Sequence, residues 1–312
     1  MNRGAFGAIA LLLVTGVAAA QDSDAPVMPP IVKPLAPPTD TRARAVVELA
    51  PYRYDDLLWE NDRTAHRIYG SALEAVEPPS GSGIDSWGKT VRWAFADRQL
   101  RTGDQHAYHG EGLDFYNVGA SRGAGGLGIW FDNKLWTSRN YRTYRILRNG
   151  PDVADFEVTY APWPVDVDRK VWETRRFTLP LGTQFTRLVS TLSSDKPGLL
   201  TVGIGIGKRT TIAGTDGALT IDKARGFISW WGPETGDHGR MGIAIKVDPA
   251  MIVGLTGDAD NQLVLLRVQP GKPFVYYSGS VWDKGIAGIR TRAAWDRYVA
   301  DAPVDFVPPP RG

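Results

Sequence analysis

The stretch VWETRRFTLPLGTQFTRLVSTLSSDKPGLLTVGIGI, residues 171–206, decides the fold class. It is rich in Thr, Val, Ile, Leu and aromatic residues, and several of its segments alternate apolar with polar residues. Alternation of this kind is typical of a strand that buries one face. The segment Ser194-Asp-Lys-Pro-Gly198 supplies turn residues between two such runs. We therefore predict successive strands joined by a tight turn.

Strand-like segments of the same kind recur on both sides of this stretch. They cover residues 44–49, 156–160, 227–231, 242–247 and 263–268. Helical periodicity is limited to Thr291–Ala300 and Arg63–Leu73. Regular short strands separated by turns favour a sandwich over a parallel α/β arrangement. The prediction is an all-β fold, a large antiparallel β-sandwich with few short helices.

The composition excludes several classes of protein. The 312-residue chain contains no cysteine, which excludes disulfides, zinc–thiolate sites and a catalytic thiol. Its 36 Lys and Arg residues nearly balance 34 Asp and Glu residues. Near-neutral charge argues against a nucleic-acid partner, because such proteins usually carry a basic stripe.

The N-terminus has the features of an export signal. Arg3 precedes a short apolar run, and Ala18-Ala-Ala20 matches a small-residue cleavage pattern. The run is shorter than the ~20 residues that span a bilayer, so we predict no membrane span. Proline-rich residues 21–40 predict an extended tether. We therefore predict a signal peptide at 1–20, a Pro-rich linker at 21–40 and a single domain at 41–312, in a periplasmic or secreted protein.

Residues 54–122 concentrate carboxylate, imidazole, guanidinium and indole groups, and they hold three of the four histidines. This mixture suits a sugar site, because indoles stack on pyranose rings, Arg binds a uronate carboxylate and imidazole moves protons. If the stretch that contains Arg63 and His66 is helical, these two residues lie one turn apart and share a face. An ordinary exposed helix over Glu60–Tyr69 is the alternative.

The loop Tyr108-His109-Gly110-Glu111-Gly112 is the strongest candidate for catalytic groups. The two glycines beside Glu111 indicate an unusual backbone conformation or a close approach to another group. We interpret His106 as a solvated loop residue and His238 as a distal candidate.

A metal site could be built from His66, His109 and His238, with an open coordination position. No His-x-His or His-x-x-x-His spacing supports it. We therefore predict no metal ligands and no cofactor, and a divalent metal ion is the alternative.

Several segments in order resemble a known family: Trp59-Glu-Asn-Asp-Arg63, Gly83-Ile-Asp-Ser-Trp87, Tyr108–Asp114, Val118–Gly123 and Tyr277–Gly285. The family is the secreted bacterial domain-of-unknown-function family numbered 4861, and the resemblance covers roughly residues 43–300. Its members occur beside genes for the breakdown of uronate-rich polysaccharides, and it is similar to the galactose-mutarotase-like super-sandwich group. The resemblance implies a super-sandwich fold and a carbohydrate-active role.

We therefore expect an exported enzyme that acts on uronate-containing oligosaccharides, with a lyase as the leading hypothesis. β-Elimination needs a base, for which we predict His109, and an acid, for which we predict Tyr108 or His66. A cation must stabilise the enolate-like charge, and Arg63 and Arg122 are the candidates.

The remaining residues of the predicted site would orient these groups or contact the sugar. Glu111 and Asp114 would orient His109, Trp87 would provide a stacking platform, and Lys89 would contact the carboxylate. The predicted substrate-binding residues are Arg63, Asp85, Trp87, Lys89, Asp114, Arg122 and His238.

Other reactions remain open from the sequence. A glycoside hydrolase would use two carboxylates, Glu111 with Asp85 or Asp62. A sugar epimerase or mutarotase would need one acid and one base. A non-catalytic glycan-binding protein would keep the aromatic and guanidinium groups and would need no base.

Overall fold

The computed structural model describes residues 36–208 and 217–309. The predicted signal peptide, residues 1–20, lies outside the described residues, as do residues 21–35 of the predicted linker. Residues 36–40 contain neither helix nor strand. None of the helices in the described ranges is long and apolar enough to cross a membrane.

Strands dominate the described chain. In chain order they are β1 (Val46–Ala50), β2 (Asp56–Glu60), β3 (Ala65–Ile68), β4 (Asp85–Lys89), β5 (Gly112–Leu113), β6 (Ala124–Phe131), β7 (Lys134–Trp136), β8 (Thr143–Asn149), β9 (Val153–Val165), β10 (Arg169–Pro180), β11 (Phe185–Ser194), β12 (Leu200–Gly207), β13 (Ala218–Asp222), β14 (Phe227–Trp231), β15 (Met241–Val247), β16 (Ile252–Gly257), β17 (Asn261–Val268) and β18 (Pro273–Trp282). The α-helices are α1 (Ala96–Arg101) and α2 (Arg292–Asp301), and 3-10 turns cover Pro51–Arg53, Ser71–Ala75 and Pro249–Met251.

The strands form three antiparallel sheets. The first sheet has five strands in the order β1-β2-β3-β4-β5, and the second has eight in the order β13-β14-β15-β18-β11-β10-β9-β8. The third sheet has five strands in the order β16-β17-β12-β6-β7. Neighbouring named strands pair antiparallel throughout. The prediction of an all-β antiparallel sandwich with few short helices is confirmed.

The main core lies between the second sheet and the two smaller ones. Leu188 of β11 lies opposite Phe177 of β10 on one side and opposite Tyr276 of β18 on the other. Residues opposite one another in a sheet point to the same face, so Phe177 and Tyr276 share one face of the second sheet. Trp59 of the first sheet packs on Phe177, with ring centroids 5.1 Å apart. The Tyr276 hydroxyl donates to the Gly125 carbonyl of the third sheet at 3.0 Å. Both smaller sheets therefore cover the same face of the second sheet.

Helix α2 covers the opposite face of the second sheet. Its Trp295 and Val299 are fully buried in a cluster with Phe185, Trp231 and Val281. Thr291 caps the helix by accepting a hydrogen bond from the backbone N–H of Ala294 at 3.3 Å. The prediction of a helix over Thr291–Ala300 is confirmed.

The predicted helix over Arg63–Leu73 is wrong. The segment contains strand β3 and part of the 3-10 turn Ser71–Ala75. The exposed helix proposed as an alternative for Glu60–Tyr69 is wrong too, because every residue of β3 is buried. Arg63 and His66 therefore share no helix face.

The register of β3 with β4 positions the candidate site. Arg67 pairs with Asp85, and His66 pairs with Ser86. Because successive side chains in a strand alternate between faces, Arg67 and Asp85 share the face opposite His66. Helix α1 packs on this outer face, where Leu100 belongs to a separate small core. Gln105 and Asp114, in the segment that follows α1, contact Arg67 on the same face.

Candidate active site

A cavity of about 710 Å³ opens on the outer face of the first sheet. Its apolar wall includes Leu73, Pro78, Leu100 and Val118. Its polar wall combines guanidinium, carboxylate, amide, phenol and imidazole groups: Arg53, Arg67, Tyr69, Asp85, Gln105, His106 and Asp114. Pockets of a few hundred Å³ with convergent polar groups are the usual sites of small-molecule binding. We call this space the Arg67 cavity.

Arg67 holds the carboxylates of the cavity in place. Its Nη2 donates to Asp85 Oδ2 at 2.7 Å and to Asp114 Oδ2 at 2.9 Å. Its Nε donates to the same Asp85 oxygen at 3.0 Å. The guanidinium carbon also lies 5.1 Å from the Trp87 ring. The two carboxylates thus share one buried cation, which offsets the cost of removing them from water.

Asp56 lies behind Arg67 and is completely buried. Its Oδ1 accepts the backbone N–H of Gly70 at 3.3 Å, and its Oδ2 lies 3.6 Å from Arg67 Nη1. Loss of hydration raises the pKa of Asp56 to about 7, and the charge of Arg67 opposes that rise. Asp56 is therefore a carboxyl group that titrates near neutral pH just beneath the cavity.

His106 lies at the edge of the cavity, with 68% of its side chain exposed. Its Nδ1 is 2.7 Å from the backbone carbonyl oxygen of Asp114, which can only accept a hydrogen bond. The neutral ring therefore carries its hydrogen on Nδ1 and a lone pair on Nε2. That Nε2 is 3.3 Å from the Gln105 amide nitrogen, a donor. His106 is held in the tautomer whose Nε2 can accept a proton.

Arg53 and Tyr69 supply a guanidinium and a phenol to the same cavity. Arg53 is buried and donates from Nη2 to Glu77 Oε2 at 2.7 Å, while the Glu77 side chain is 51% exposed. Within the described ranges, Arg53 Nη1 has no hydrogen-bond partner. Burial raises the pKa of Tyr69 well above its ordinary value, so the phenol keeps its proton at neutral pH.

His66 faces the main core. Its ring stacks on Trp59 with centroids 5.2 Å apart, and Thr64, Ser86 and the Asp85 carbonyl surround its two nitrogens. Burial lowers the pKa of His66 to about 4. The ring is therefore neutral and enclosed, which argues against the predicted role of His66 as a proton donor to substrate.

Trp87 and Lys89 are also interior residues. Trp87 is 2% exposed, and its ring lies between the Arg67 guanidinium and Phe95. Lys89 donates to Glu60 Oε2 and to the Asn61 carbonyl, and its side chain is completely buried. Neither side chain meets the solvent, so the predicted stacking platform and carboxylate contact are corrected to structural roles.

The two arginines predicted to stabilise the enolate lie outside the Arg67 cavity. Arg122 is buried and donates from Nη1 to Ser82 Oγ at 3.1 Å. Arg63 is partly exposed, 3.9 Å from Asp62. The arginines that line the cavity are Arg53 and Arg67.

The loop Tyr108–Gly112 lies beside the cavity. His109 Nε2 is 3.1 Å from the Asp104 carbonyl, and the half-exposed Tyr108 packs its ring against Trp282. Glu111 accepts hydrogen bonds from Trp93 and Arg98. Among the described residues, none of these three loop side chains lines the Arg67 cavity.

Asp85 and Asp114 are the predicted substrate-binding residues that line the Arg67 cavity. His238 lies apart from them, with its ring 5.9 Å from that of Phe115. The described part of the chain contains no group of three or more His, Cys, Asp or Glu side chains placed to hold a metal ion. The alternative of a metal held by His66, His109 and His238 is therefore not supported.

The comparison with known families concerns nearly the whole chain. The family described as Domain of unknown function (DUF4861) matches residues 22–311. The chain belongs to this family. A relative from Formosa agariphila, described as Uncharacterized protein P7, is 31% identical over 279 residues, which cover 84% of this chain and 68% of the relative. The family resemblance predicted from the sequence is confirmed.

Solved structures are similar to this chain only distantly. The GH36 α-galactosidase AgaB from Geobacillus stearothermophilus is 11% identical with a TM-score of 0.37, over 76% of this chain and 40% of that structure. The 4-α-glucanotransferase from Thermococcus litoralis is 11% identical with a TM-score of 0.36, over 77% and 39% of the respective chains. The chain thus spans about two fifths of these structures, and likeness at this level assigns no activity.

Sequence reasoning missed Arg53, Arg67 and Tyr69 and assigned no role to His106. Period-two alternation offered a signal, because Arg67 and Tyr69 are two residues apart, as are Asp85 and Trp87. Two such strands side by side would have placed Arg67 next to a carboxylate. The contact of His106 with Asp114 depends on a loop closing on itself, and no local pattern indicates it.

Proposed function

We propose that this protein is a carbohydrate-active enzyme whose active site is the Arg67 cavity, and that it cleaves uronate-containing oligosaccharides by β-elimination. The observation that carries the proposal is the arrangement of His106. Its Nε2 carries a lone pair that can accept a proton at the edge of a saccharide-sized cavity, while its Nδ1 is anchored to the Asp114 carbonyl. Imidazole is the side chain that most often moves protons in enzymes.

The proposed reaction breaks one C–O bond without water. His106 Nε2 removes the proton from the sugar carbon that bears the carboxylate. The electron pair left on that carbon forms a double bond to the neighbouring carbon, and the glycosidic oxygen leaves. The leaving oxygen takes a proton, so the products are an unsaturated uronate and a shortened saccharide.

The acid in this scheme is Tyr69. A group that protonates the leaving oxygen must hold its proton at the working pH, as a phenol does. The Arg67 guanidinium lies 5.1 Å from the Tyr69 ring and would stabilise a phenolate that forms during the reaction. Tyr69 thereby takes the place of Tyr108 and His66 of the sequence-based hypothesis.

The substrate carboxylate is proposed to bind Arg53. A carboxylate next to the reacting carbon must be neutralised before its neighbouring proton becomes acidic. Arg67 already forms ion pairs with Asp85 and Asp114. Arg53, by contrast, has only the half-exposed Glu77 as its ion-pair partner within the described ranges. A uronate can displace Glu77 and form a bidentate pair with the guanidinium.

Export is part of the proposal. The small-residue site after an apolar run at residues 1–20 supports a protein that works in the periplasm or outside the cell. Uronate-rich polysaccharides are too large to enter a cell intact, so an exported enzyme would meet them first. A fusion of residues 1–40 to a reporter, tested for export in a bacterial host, checks this part independently.

The assay uses purified protein and galacturonate or alginate-type oligosaccharides. Elimination creates a conjugated alkene that absorbs in the ultraviolet, and its growth is followed together with the release of reducing ends. We expect His106→Gln to lower turnover by about 10²–10⁴-fold, because it removes the base. Tyr69→Phe removes the acid and should lower turnover strongly as well.

His109→Gln is the matched control, since His109 is a neighbouring histidine that contacts Asp104 and does not line the cavity. It should keep wild-type turnover. Full activity in His106→Gln, or loss of activity only in His109→Gln, contradicts the assignment of the base. Circular dichroism of each variant excludes unfolding as the cause.

A glycoside hydrolase is the second candidate, and the pair of carboxylates on Arg67 Nη2 favours it. Hydrolysis needs one carboxyl group that donates a proton. Asp85 suits this role poorly, because its oxygens accept N–H bonds from Arg67, Trp87 and its neighbour Ser86. Reducing ends that appear without the alkene absorbance would favour hydrolysis over elimination.

A further inference from the structure

A second concave site lies where the start of the described chain meets α1. Its volume is about 440 Å³, and its walls include Asp40, Arg42, Arg44, Trp93, Arg98 and Pro151. None of these six residues lines the Arg67 cavity. We call this second site the Arg44 groove.

Glu111 fixes one wall of the groove. It accepts a hydrogen bond from the indole nitrogen of Trp93. It also accepts two from Arg98, at 3.1 Å from Nε and 2.9 Å from Nη2. An indole and a guanidinium that share one carboxylate are held in a single arrangement before any ligand arrives. The Trp93 ring is partly exposed, so it can present an apolar surface to the groove.

The segment before β1 forms the other wall. The backbone N–H of Ala45 donates to the Pro151 carbonyl at 2.7 Å, which pins the segment to the β8–β9 turn. Arg42 is engaged by Asp40 through two hydrogen bonds, at 2.8 Å and 2.7 Å. Arg44 is exposed and makes no ion pair or side-chain hydrogen bond within the described ranges.

The charges of the groove leave one cation available among its described residues. Arg98 is neutralised by Glu111 and Arg42 by Asp40, so Arg44 is the guanidinium without a carboxylate. A guanidinium binds carboxylate or sulfate oxygens in a bidentate way, and an indole stacks on the apolar face of a sugar ring. A flat apolar surface beside a free guanidinium therefore matches an acidic sugar.

We infer that the Arg44 groove is a second, non-catalytic binding site for an anionic sugar unit, with a carboxylate or sulfate on Arg44 and the ring on Trp93. The site requires no catalysis in the Arg67 cavity. It would hold a distant part of a charged polysaccharide on the surface of the protein. Carboxylated and sulfated sugars share the chemistry that the groove recognises, and the experiment below distinguishes them.

The test follows the indole N–H resonance of Trp93 in protein with isotope-labelled tryptophan. The resonance is assigned by its loss in Trp93→Phe. Galacturonate, sulfated galactan and neutral glucan oligosaccharides are titrated separately. We expect the resonance to shift with the acidic oligosaccharides and not with the neutral one. Whichever acidic series binds more tightly identifies the anion.

Arg44→Gln should weaken binding at this resonance about tenfold, the effect of losing a charge-assisted hydrogen bond. Arg297→Gln is the matched control, because Arg297 is an exposed arginine on α2, which packs on the second sheet. An unmoved Trp93 resonance, or equal affinities in wild type and Arg44→Gln, overturns the inference. Turnover of short oligosaccharides should stay unchanged in Arg44→Gln. A failure of the groove inference is therefore distinguishable from a failure of the proposed reaction.

Discussion

His66 and His106 occupy opposite environments, and these environments decide what each imidazole can do. His66 is enclosed between Trp59, Thr64 and Ser86. His106 keeps 68% of its side chain in solvent, with Nδ1 on the Asp114 carbonyl and Nε2 near the Gln105 amide nitrogen. The sequence could not distinguish them, because His66 is buried by packing: its ring stacks on Trp59, which in turn packs on Phe177 of the second sheet. Histidine content alone therefore indicated proton chemistry but not its location.

The burial of His66 predicts a loss of stability in acid. Its pKa is about 4 in the folded protein, against 6.5 for a hydrated imidazole, so between these pH values the unfolded chain binds a proton that the folded chain refuses. The free energy of unfolding should therefore fall as the pH drops from about 6.5 to about 4, by on the order of 3 kcal/mol from this group. Urea unfolding of wild type and His66→Gln across this range measures it. Identical pH dependence in the two proteins would show that His66 titrates normally.

Asp56 should change stability with pH in the opposite direction to His66. Its pKa is raised to about 7 from 3.8, so the folded protein binds the extra proton between these values and wild type loses stability as the pH rises through them. Asp56→Asn keeps the side chain neutral and should gain stability relative to wild type over the same rise. Thermal unfolding of both proteins at several pH values tests this. A difference in stability between the two proteins that does not change with pH would mean that Arg67 keeps Asp56 charged throughout.

At the scale of elements, the burial of the first sheet explains why β3 was misread as helical and why β2 and β4 were not recognised, although β1 was predicted as a strand. Every residue of β2, β3 and β4 is buried, and charged residues occupy its outer face in ion pairs. A strand buried on both faces with charges on one of them shows neither clean alternation nor an apolar run. The second-sheet strands β10 and β11 were recognisable, because most of their apolar residues point to a core and polar ones intervene.

The buried pair of Lys89 and Glu60 ties β4 to α1. Glu60 also accepts the backbone N–H groups of Phe95 and Ala96, both at 2.9 Å, at the start of that helix. Lys89→Met should destabilise the fold by about 3–5 kcal/mol, because it leaves the Glu60 carboxylate buried without its cation. The double variant Lys89→Met/Glu60→Gln should recover part of that loss. Guanidinium chloride unfolding measures both, and additive losses would refute the coupling.

Helix α2 packs on the second sheet, on the face opposite the main core. Trp295→Ala should cost about 3–5 kcal/mol, since a completely buried indole is replaced by a cavity among Phe185, Trp231 and Val281. Turnover at temperatures well below unfolding should not change, because α2 takes no part in the Arg67 cavity. Thermal unfolding tests the predicted loss of stability, and the alkene assay tests the predicted turnover. A large fall in turnover of the folded variant would connect α2 to the active site.

At the scale of the whole molecule, sequence patterns sufficed for the fold class, and the region that they singled out surrounds the Arg67 cavity. Asp85, Asp114 and most of the family motifs fall within residues 54–122, which surround the Arg67 cavity. Roles within that region could not be assigned from sequence, because Trp87, Lys89 and His66 resemble ligand-binding residues until their burial is known. Arg53 and Tyr69 were missed because only sheet register and loop packing bring them into the site.

The central claim is that a uronate-containing saccharide occupies the Arg67 cavity with its reacting carbon beside His106. A crystal structure of His106→Gln soaked with a galacturonate oligosaccharide tests this most directly, since the variant retains the cavity but should not turn over the ligand. We predict sugar density in the cavity, a carboxylate on Arg53 and the ring against Leu73 and Leu100. A sugar bound only around Tyr108 and His109, with the cavity empty, would contradict the account.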